Sequence, residues 1–298
     1  MPELPDITLY IERLDALTTG KALERVEVHS PFFLRSVEPS IADIQGRMVT
    51  GYRRLGKRVV MELEGELFAV IHLMIAGRMR WRAAGKSVGG KNALATFHFP
   101  EGTVWLTEAS SHKRASLHLV RGEAGLMDHT RGGLEPLGAA YEDFSAALTQ
   151  ENRTLKRALT DPRLFSGIGN AYSDEILFAA RLSPMKLTHK LEDDEIRRLF
   201  DATQSELTEW TERFRSEIGD GFPEKVTAFR PEMKVHGKYK TPCTVCGSPI
   251  QRIRYVANEC NYCAKCQNAG RLLADRSLSR LLKKDWPKTL EELEGLKR

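Results

Sequence analysis

Hydrophobic positions along the chain keep three successive rhythms. From Asp6 to Leu17 they recur every three or four residues (Ile7, Tyr10, Ile11, Leu14, Leu17), which predicts an amphipathic helix with Asp6 as its N-cap. From Ala22 to about Val120 short β-rich runs alternate with turn residues. Strands are expected over 25–28, 48–52, 58–63, 68–73, 95–99, 104–107 and 116–120. Gly-Glu and Gly-Gly breaks separate several of them. This pattern predicts an antiparallel sandwich or barrel with one leading helix.

The stretch Arg131-Gly132-Gly133-Leu134-Glu135-Pro136-Leu137-Gly138 breaks both periods and reads as a linker. Beyond it the spacing is helical: 144–149, 153–159, 170–181, and a long amphipathic helix carrying Ile196, Leu199, Phe200, Thr203, Leu207, Trp210 and Phe214 on one face. Residues 217–232 have no periodic pattern and read as a mobile loop. A cysteine-rich module follows, then a charged tail with Leu spacing, expected as one or two helices broken at Pro287. The domain boundaries expected are therefore 1–130 for the sheets, 131–142 for the linker, 143–233 for the helices, 234–274 for the cysteine module and 275–298 for the tail. The fold class is α+β and multidomain.

The 298 residues suffice for two or three domains, and 41% hydrophobic with 29% charged residues is ordinary for a soluble globular protein. No apolar run approaches the ~18 residues of a membrane span, and the N-terminus has no basic-then-apolar leader. A cytoplasmic or nucleoid-associated protein is expected. The net charge of +5 is unevenly spread. Between Lys234 and Lys284 eleven Lys or Arg face two acids, Glu259 and Asp275. A cationic segment on a near-neutral body points to a polyanion partner.

All five cysteines lie between 243 and 266. Cys243-x2-Cys246 and Cys263-x2-Cys266 are two knuckles, each presenting two thiolates to one ion. Together they close a four-thiolate tetrahedral shell, the signature of one structural Zn2+. Keeping both knuckles leaves Cys260 out. Between them, Gln251-Arg252-Ile253-Arg254-Tyr255 alternates as a hairpin strand with Arg252 and Arg254 on one face. Such a stapled hairpin suits a DNA groove or phosphate track, and equally a protein-binding ribbon.

Two further segments carry candidate anion chemistry. Ser166-Gly167-Ile168-Gly169-Asn170 opens a helix, where free N–H groups can meet a phosphate, with Lys156 and Arg157 on the helix before it. Arg53-Arg54-Leu55-Gly56-Lys57-Arg58 leads into a strand and can hold the Lys57 ammonium at a fixed point. The start of the chain, Met1-Pro2-Glu3-Leu4-Pro5-Asp6, adds a nucleophile. Removal of Met1 would leave Pro2 as a terminal secondary amine beside a carboxylate. An α-amino group has a reference pKa of about 7.7–8.0 against about 10.4 for lysine, so a usable fraction is unprotonated at neutral pH.

In this order these features resemble the Fpg/Nei (MutM-like) family of DNA glycosylase/AP lyases. The resemblance runs to about Gly270. It rests on Pro2-Glu3-Leu4-Pro5, Gly56-Lys57, Leu134-Glu135-Pro136-Leu137, Gly167-Ile168-Gly169-Asn170, Val235-His236-Gly237-Lys238 and the cysteine knuckles. It implies a β-sandwich domain, a helix–two-turn–helix domain and a zinc-stapled hairpin finger. It also implies an enzyme of base excision repair that flips a damaged, oxidised base into a pocket between two domains. Pro2 would attack C1′, Glu3 would carry the proton, and β,δ-elimination from a Schiff base would nick the strand. Lys57 would neutralise a phosphate, Lys156 and Asn170 would hold neighbouring ones, and His72 and Arg114 would contact DNA. The expected partner is double-stranded DNA with a damaged base or an abasic site, bound by a monomer.

The chain departs from the family pattern in four places. Position 6 is Asp, where the family usually has Glu. His72-Leu73-Met74-Ile75-Ala76-Gly77 replaces His-Leu-Gly-Met-Ser-Gly, leaving Ile75 or a shifted Met74 as the wedge. Glu108-Ala109-Ser110-Ser111-His112-Lys113-Arg114 stands where the family has Asp-Pro-Arg-Arg-Phe. Asn258 occupies the finger-arginine position, so Arg252 or Arg254 would supply the minor-groove contact. A second reading is thereby kept: a catalytically weak MutM-like protein that binds damaged or abasic DNA.

Overall fold

The computed structural model describes residues 1–86, 89–255, 258–274, 280–282 and 285–295. By its internal contacts the chain forms two compact units, Met1–Arg131 with Trp210–Thr227, and Gly132–Glu209 with Ala228–Arg298.

The first unit is two antiparallel four-stranded sheets behind one helix. Helix α1 spans Leu4–Thr18. One sheet orders β1 (Arg25–Val28), β6 (Ala93–Phe99), β7 (Gly102–Glu108) and β5 (Gly77–Ala83). The other orders β2 (Val49–Leu55), β3 (Arg58–Leu63), β4 (Leu67–His72) and β8 (Ser116–Arg121). Inward positions of both sheets, with Ile7, Tyr10 and Leu14 of α1, make one core that includes Met61, Ile71, Met79, Phe97, Leu106 and Leu117. This is the expected sandwich, with one strand added. β5 pairs with β7 over its whole length and alternates Met79 and Trp81 inward with Arg78, Arg80 and Arg82 outward. A smaller cluster on the other face of the second sheet joins Val60, Phe68, Val70 and Val120 to Leu126 of α3 (Gly122–Met127).

Past residue 218 the segment to 232 forms no helix or strand, as its aperiodic sequence predicts, but it is in part packed on the sheets. Helix α7 runs Asp193–Ile218, and its end packs with the sheets. Beyond it Phe222 and Val226 pack on the sheet core, and Glu224 pairs with Arg80 and Arg82. The Val226 carbonyl accepts from Arg78 Nε at 2.7 Å.

The second unit holds α4 (Tyr141–Thr149), α5 (Leu155–Thr160), α6 (Asn170–Ala179) and the first part of α7; the Phe144 ring of α4 lies 4.8 Å from Phe165 and 5.4 Å from Phe200 of α7. The hairpin β9 (Gln251–Arg254) and β10 (Glu259–Tyr262) follows, then the short helix α8 (Ala264–Asn268). Of the tail, a helix over Leu290–Gly295 is described. Asp275, Arg276, Lys283 and Lys284, counted in the cationic segment, lie outside the described residues, as do 296–298. No helix among the described residues is long and apolar enough to cross a membrane.

Candidate active site and nucleic-acid interface

The start of α1 builds a carboxylate pair at the chain terminus. Asp6 is not the N-cap. Glu3 is, and Asp6 sits at the third helical position, its Oδ2 accepting from the Glu3 backbone N–H at 2.9 Å. The Glu3 side chain accepts from the Asp6 backbone in return, closing a capping box. A helix-start carboxylate needs only to reach back one turn, so the short Asp side chain suffices. Pro2, Glu3 and Asp6 are all buried. Burial holds the terminal amine of Met1 below the ordinary α-amino value. Glu3 and Asp6 oppose that shift, while Arg78 and Lys57 reinforce it. The fold thus brings Lys57, 50-odd residues away in sequence, into the field of the terminus. It also brings Arg78, which sequence reasoning missed because β5 was missed.

Lys57 sits in the β2–β3 hairpin turn after Gly56, whose φ of 63° favours glycine. Register places Arg58 opposite His72, and His72 opposite Ser116. His72 is pushed down to about 4 by burial, then by Arg58, Lys57 and His118. His118 and His129 stand 4.8 Å apart, ring to ring, and both are lowered, by burial first and also by Arg58. This end of the sheet is a crowd of like charge, which an anion would relieve.

The turn Leu73–Gly77 closes on a 2.9 Å bond from Gly77 N–H to the Leu73 carbonyl. A Cβ at Gly77 would lie 2.2 Å from that oxygen, so only glycine fits. Met74 takes a positive φ of 52°, and Ile75 is displayed at the tip, 58% exposed. Arg78 braces the turn through the Ile75 and Gly77 carbonyls. Nearby, buried Glu108 accepts from the backbone N–H of Arg114 and Ala115 at 2.9 and 3.1 Å, clamping the loop between β7 and β8 and leaving Arg114 exposed.

In the second unit two of the expected phosphate ligands are engaged inside the fold. Lys156 is 5% exposed, and its Nζ donates to the Asn170 carbonyl (2.7 Å), Ser173 Oγ (2.8 Å) and Asp174 Oδ1 (2.6 Å). Lys156, expected at a phosphate, stands in this structure in a buried ion pair with Asp174. Asp174 also accepts from His236 Nδ1 and the Asn261 N–H. Burial pushes Asp174 up, but Lys156 and His236 outweigh it and hold the carboxyl below its ordinary value. Asn170 opens α6 and donates through Nδ2 to the Glu259 carbonyl at 2.9 Å. Glu175 accepts from three successive N–H groups, Lys234, Val235 and His236, and so fixes the segment leading to the finger.

On the hairpin, Arg252 pairs with Glu259 at 3.2 Å and lies over the Tyr239 ring. Arg254 is exposed on the same face. Asn258 is exposed in the turn closed by its own carbonyl and the Tyr255 N–H. Sγ atoms of Cys243, Cys246, Cys263 and Cys266 all lie within 4.8 Å of one another and could hold a metal ion. Cys260 is buried with Ile253, Tyr262 and Ala264, and burial raises its thiol well above the ordinary value, so it is packing rather than a fifth ligand.

This fold is shared with solved formamidopyrimidine-DNA glycosylases. Lactococcus lactis formamidopyrimidine-DNA glycosylase bound to DNA with an AP site superposes with a TM-score of 0.77 at 23% identity, covering 89% of this chain and 99% of that one. MutM in complex with carbocyclic 8-oxo-G DNA gives 0.79 at 24%, covering 90% and 100%. The model of the formamidopyrimidine-DNA glycosylase N-terminal domain matches residues 1–131, and that of the H2TH domain matches 133–219. Formamidopyrimidine-DNA glycosylase of Listeria monocytogenes is 31% identical over 275 residues, 90% of this chain and 100% of the relative. The Thermus thermophilus enzyme is 31% identical over 284 residues, 91% and 100%. The chain belongs to the formamidopyrimidine-DNA glycosylase family.

Proposed function

We propose that the protein is a bifunctional DNA glycosylase and AP lyase of base excision repair, acting on a damaged, oxidised base. The observation that carries this reading is the setting of Pro2: it is buried next to the reciprocal Glu3–Asp6 carboxylate pair, at a terminus that lies within the field of Lys57 and Arg78. With Met1 removed, Pro2 nitrogen forms a bond to C1′ as the glycosidic C–N bond breaks, and the base leaves with a proton. Glu3 delivers a proton to the sugar ring oxygen, and the opened sugar remains as an iminium on Pro2. Loss of a C2′ proton then expels the 3′ phosphate, and a second elimination expels the 5′ phosphate. Lys57 and His72 contact the phosphates beside the extruded nucleotide, Ile75 fills the gap it leaves, and Arg114 reaches the DNA. Asn170, Arg254 and Asn258 belong to the finger side of the interface. The four thiolates hold one structural Zn2+.

Borohydride reduction in the presence of abasic-site duplex tests this directly. A covalent adduct is expected with the Met1-processed protein and is lost in Pro2→Gly, by roughly a thousandfold or more in nicking rate. Asn258 at the finger tip and the Arg252–Glu259 pair favour the second reading, a damage-binding protein of weak activity. Tight abasic-site binding with no adduct from the processed chain would establish it instead.

A further inference from the structure

A cavity of 280 Å3 lies on the outward face of the β5–β7 pair and has Arg78, whose charge also reaches the terminus, in its wall. Its wall is set by register. Arg80 stands opposite Trp105 and Arg78 opposite Thr107, while Gly89, Gly90 and Lys91 close it from the connection into β6. Among the described residues three cations line it and no carboxylate does. The nearest acid in the ion-pair network, Glu224, is committed to Arg80 and Arg82. Lys113 extends the cationic rim, its Nζ donating to the Lys91 carbonyl at 3.2 Å.

Two donors in this wall are buried and have no acceptor among the described residues: Trp105 Nε1 and Arg80 Nε. Desolvated donors of this kind are rare unless something supplies the acceptor. The Trp105 ring adds a flat apolar surface, with the Arg80 and Arg82 guanidinium groups 5.8 and 5.7 Å from its centroid. The cavity is larger than a phosphate needs and too small for a base pair. Excess cations ask for an anion, the donors ask for ring nitrogens or carbonyl oxygens, and the indole asks for a planar partner.

We propose that this pocket binds one unpaired nucleotide, its phosphate held by Lys91 and Arg80 and its base set against Trp105. The phosphorylated nucleoside can come from two sources, a free deoxynucleoside monophosphate or a nucleotide unstacked from a DNA strand. The strand-borne source rests on the damaged-DNA reading above; the pocket chemistry does not.

Titration calorimetry of the full-length protein with dCMP, deoxycytidine and inorganic phosphate tests the proposal. dCMP is expected to bind, with deoxycytidine and inorganic phosphate each about tenfold weaker or more. Lys91→Met, on an exposed loop, weakens dCMP about tenfold. Trp105→Phe, which keeps a ring and loses the N–H, weakens it about three- to tenfold. Equal dCMP affinity in all three proteins, or inorganic phosphate binding as tightly as dCMP, overturns it. Displacement of dCMP by a duplex with one unpaired base, but not by a fully paired duplex, assigns the strand-borne source; failure of both to displace it assigns the free nucleotide. Borohydride trapping is run on the same variants and is expected to match wild type. Loss of trapping in wild type with dCMP binding intact would remove the lyase reading and leave the pocket standing.

Discussion

The two units treat charge in opposite ways. In the sheet unit Lys57, Arg58, His72, His118 and His129 gather on one end with their cationic forms at one another's expense. In the helical unit the ionisable groups of the interior are matched inside: Lys156 and His236 on Asp174, three backbone N–H groups on Glu175. Charge compensated by the fold is scaffold. It fixes the turn before α6 and the lead into the finger. At the crowded end burial first, then Arg58 and Lys57, disfavour the charged form of His72, and a bound anion would favour it. The same residue type, lysine, therefore has two roles in one chain, and burial with its acceptors decides which.

The largest effect expected on this contrast is loss of the metal. The finger's core outside the thiols is small, Ile253, Cys260, Tyr262 and Ala264 in one cluster and Val235, Ile250 and Phe178 in another. Structural zinc supplies on the order of 10 kcal/mol or more to such modules at neutral pH. Chelation, or Cys263→Ser, is expected to unfold the finger and abolish specific DNA binding. Released metal is read with a chromogenic chelator at one Zn2+ per chain. A folded, DNA-binding apoprotein would sever the finger's stability from the thiols.

Next come the two lysines. Lys156→Met leaves the Asp174 carboxylate buried without its ammonium, at a cost of about 3–5 kcal/mol. The denaturant midpoint is expected to fall steeply, while the slope of DNA affinity against salt stays unchanged. Lys57→Met is expected to do the reverse: an unchanged midpoint, a salt slope reduced by about one, and affinity about tenfold weaker. If instead Lys156→Met reduced the salt slope with stability intact, Lys156 would return to the phosphate ligands and the contrast would fail.

Much of this architecture is legible in the chain, and the misses share a cause. Strands at 25–28 and 58–63 are legible, the first from its alternation and the second from the apolar, β-branched run Val59-Val60-Met61 that follows a Gly-Lys turn. β5 has the same alternation, but three of its outward positions are arginine, so the run reads as a solvated stretch. Among the partners that hold these arginines, Glu224 and Val226 come nearly 150 residues later. The thiol quartet is legible because its ligands come in short local pairs. The burial of Lys156 is not, since its acceptors lie one helix further on and nothing in α5 itself marks that side as interior. Glutamate is an uncommon cap, so Asp6 reads from the sequence as the N-cap; the pairing of Glu3 with Asp6 at the third position is the signal that identifies Glu3 instead.

The smallest expected effect, and the finest probe of the crowded end, is pH. His72 sits at about 4 in the free protein against an ordinary value of 6.5. The unfolded chain therefore binds the proton more readily, and the folded state loses stability as pH falls from 6.5 toward 4. A phosphate at His72 reverses the balance, because the anion favours the charged ring. Bound DNA that restores the ordinary value makes binding proton-linked, with affinity rising about fourfold between pH 8 and pH 6 and continuing upward toward pH 4. His72→Gln should flatten that rise while leaving the salt slope measured at pH 8 unaltered, since the neutral imidazole contributes no charge there. His118→Gln should flatten it less, because His118 acts on His72 only as a neighbour. A pH profile unchanged by His72→Gln would mean that no phosphate reaches His72, and would move the anion track toward Arg58 and Lys57 alone.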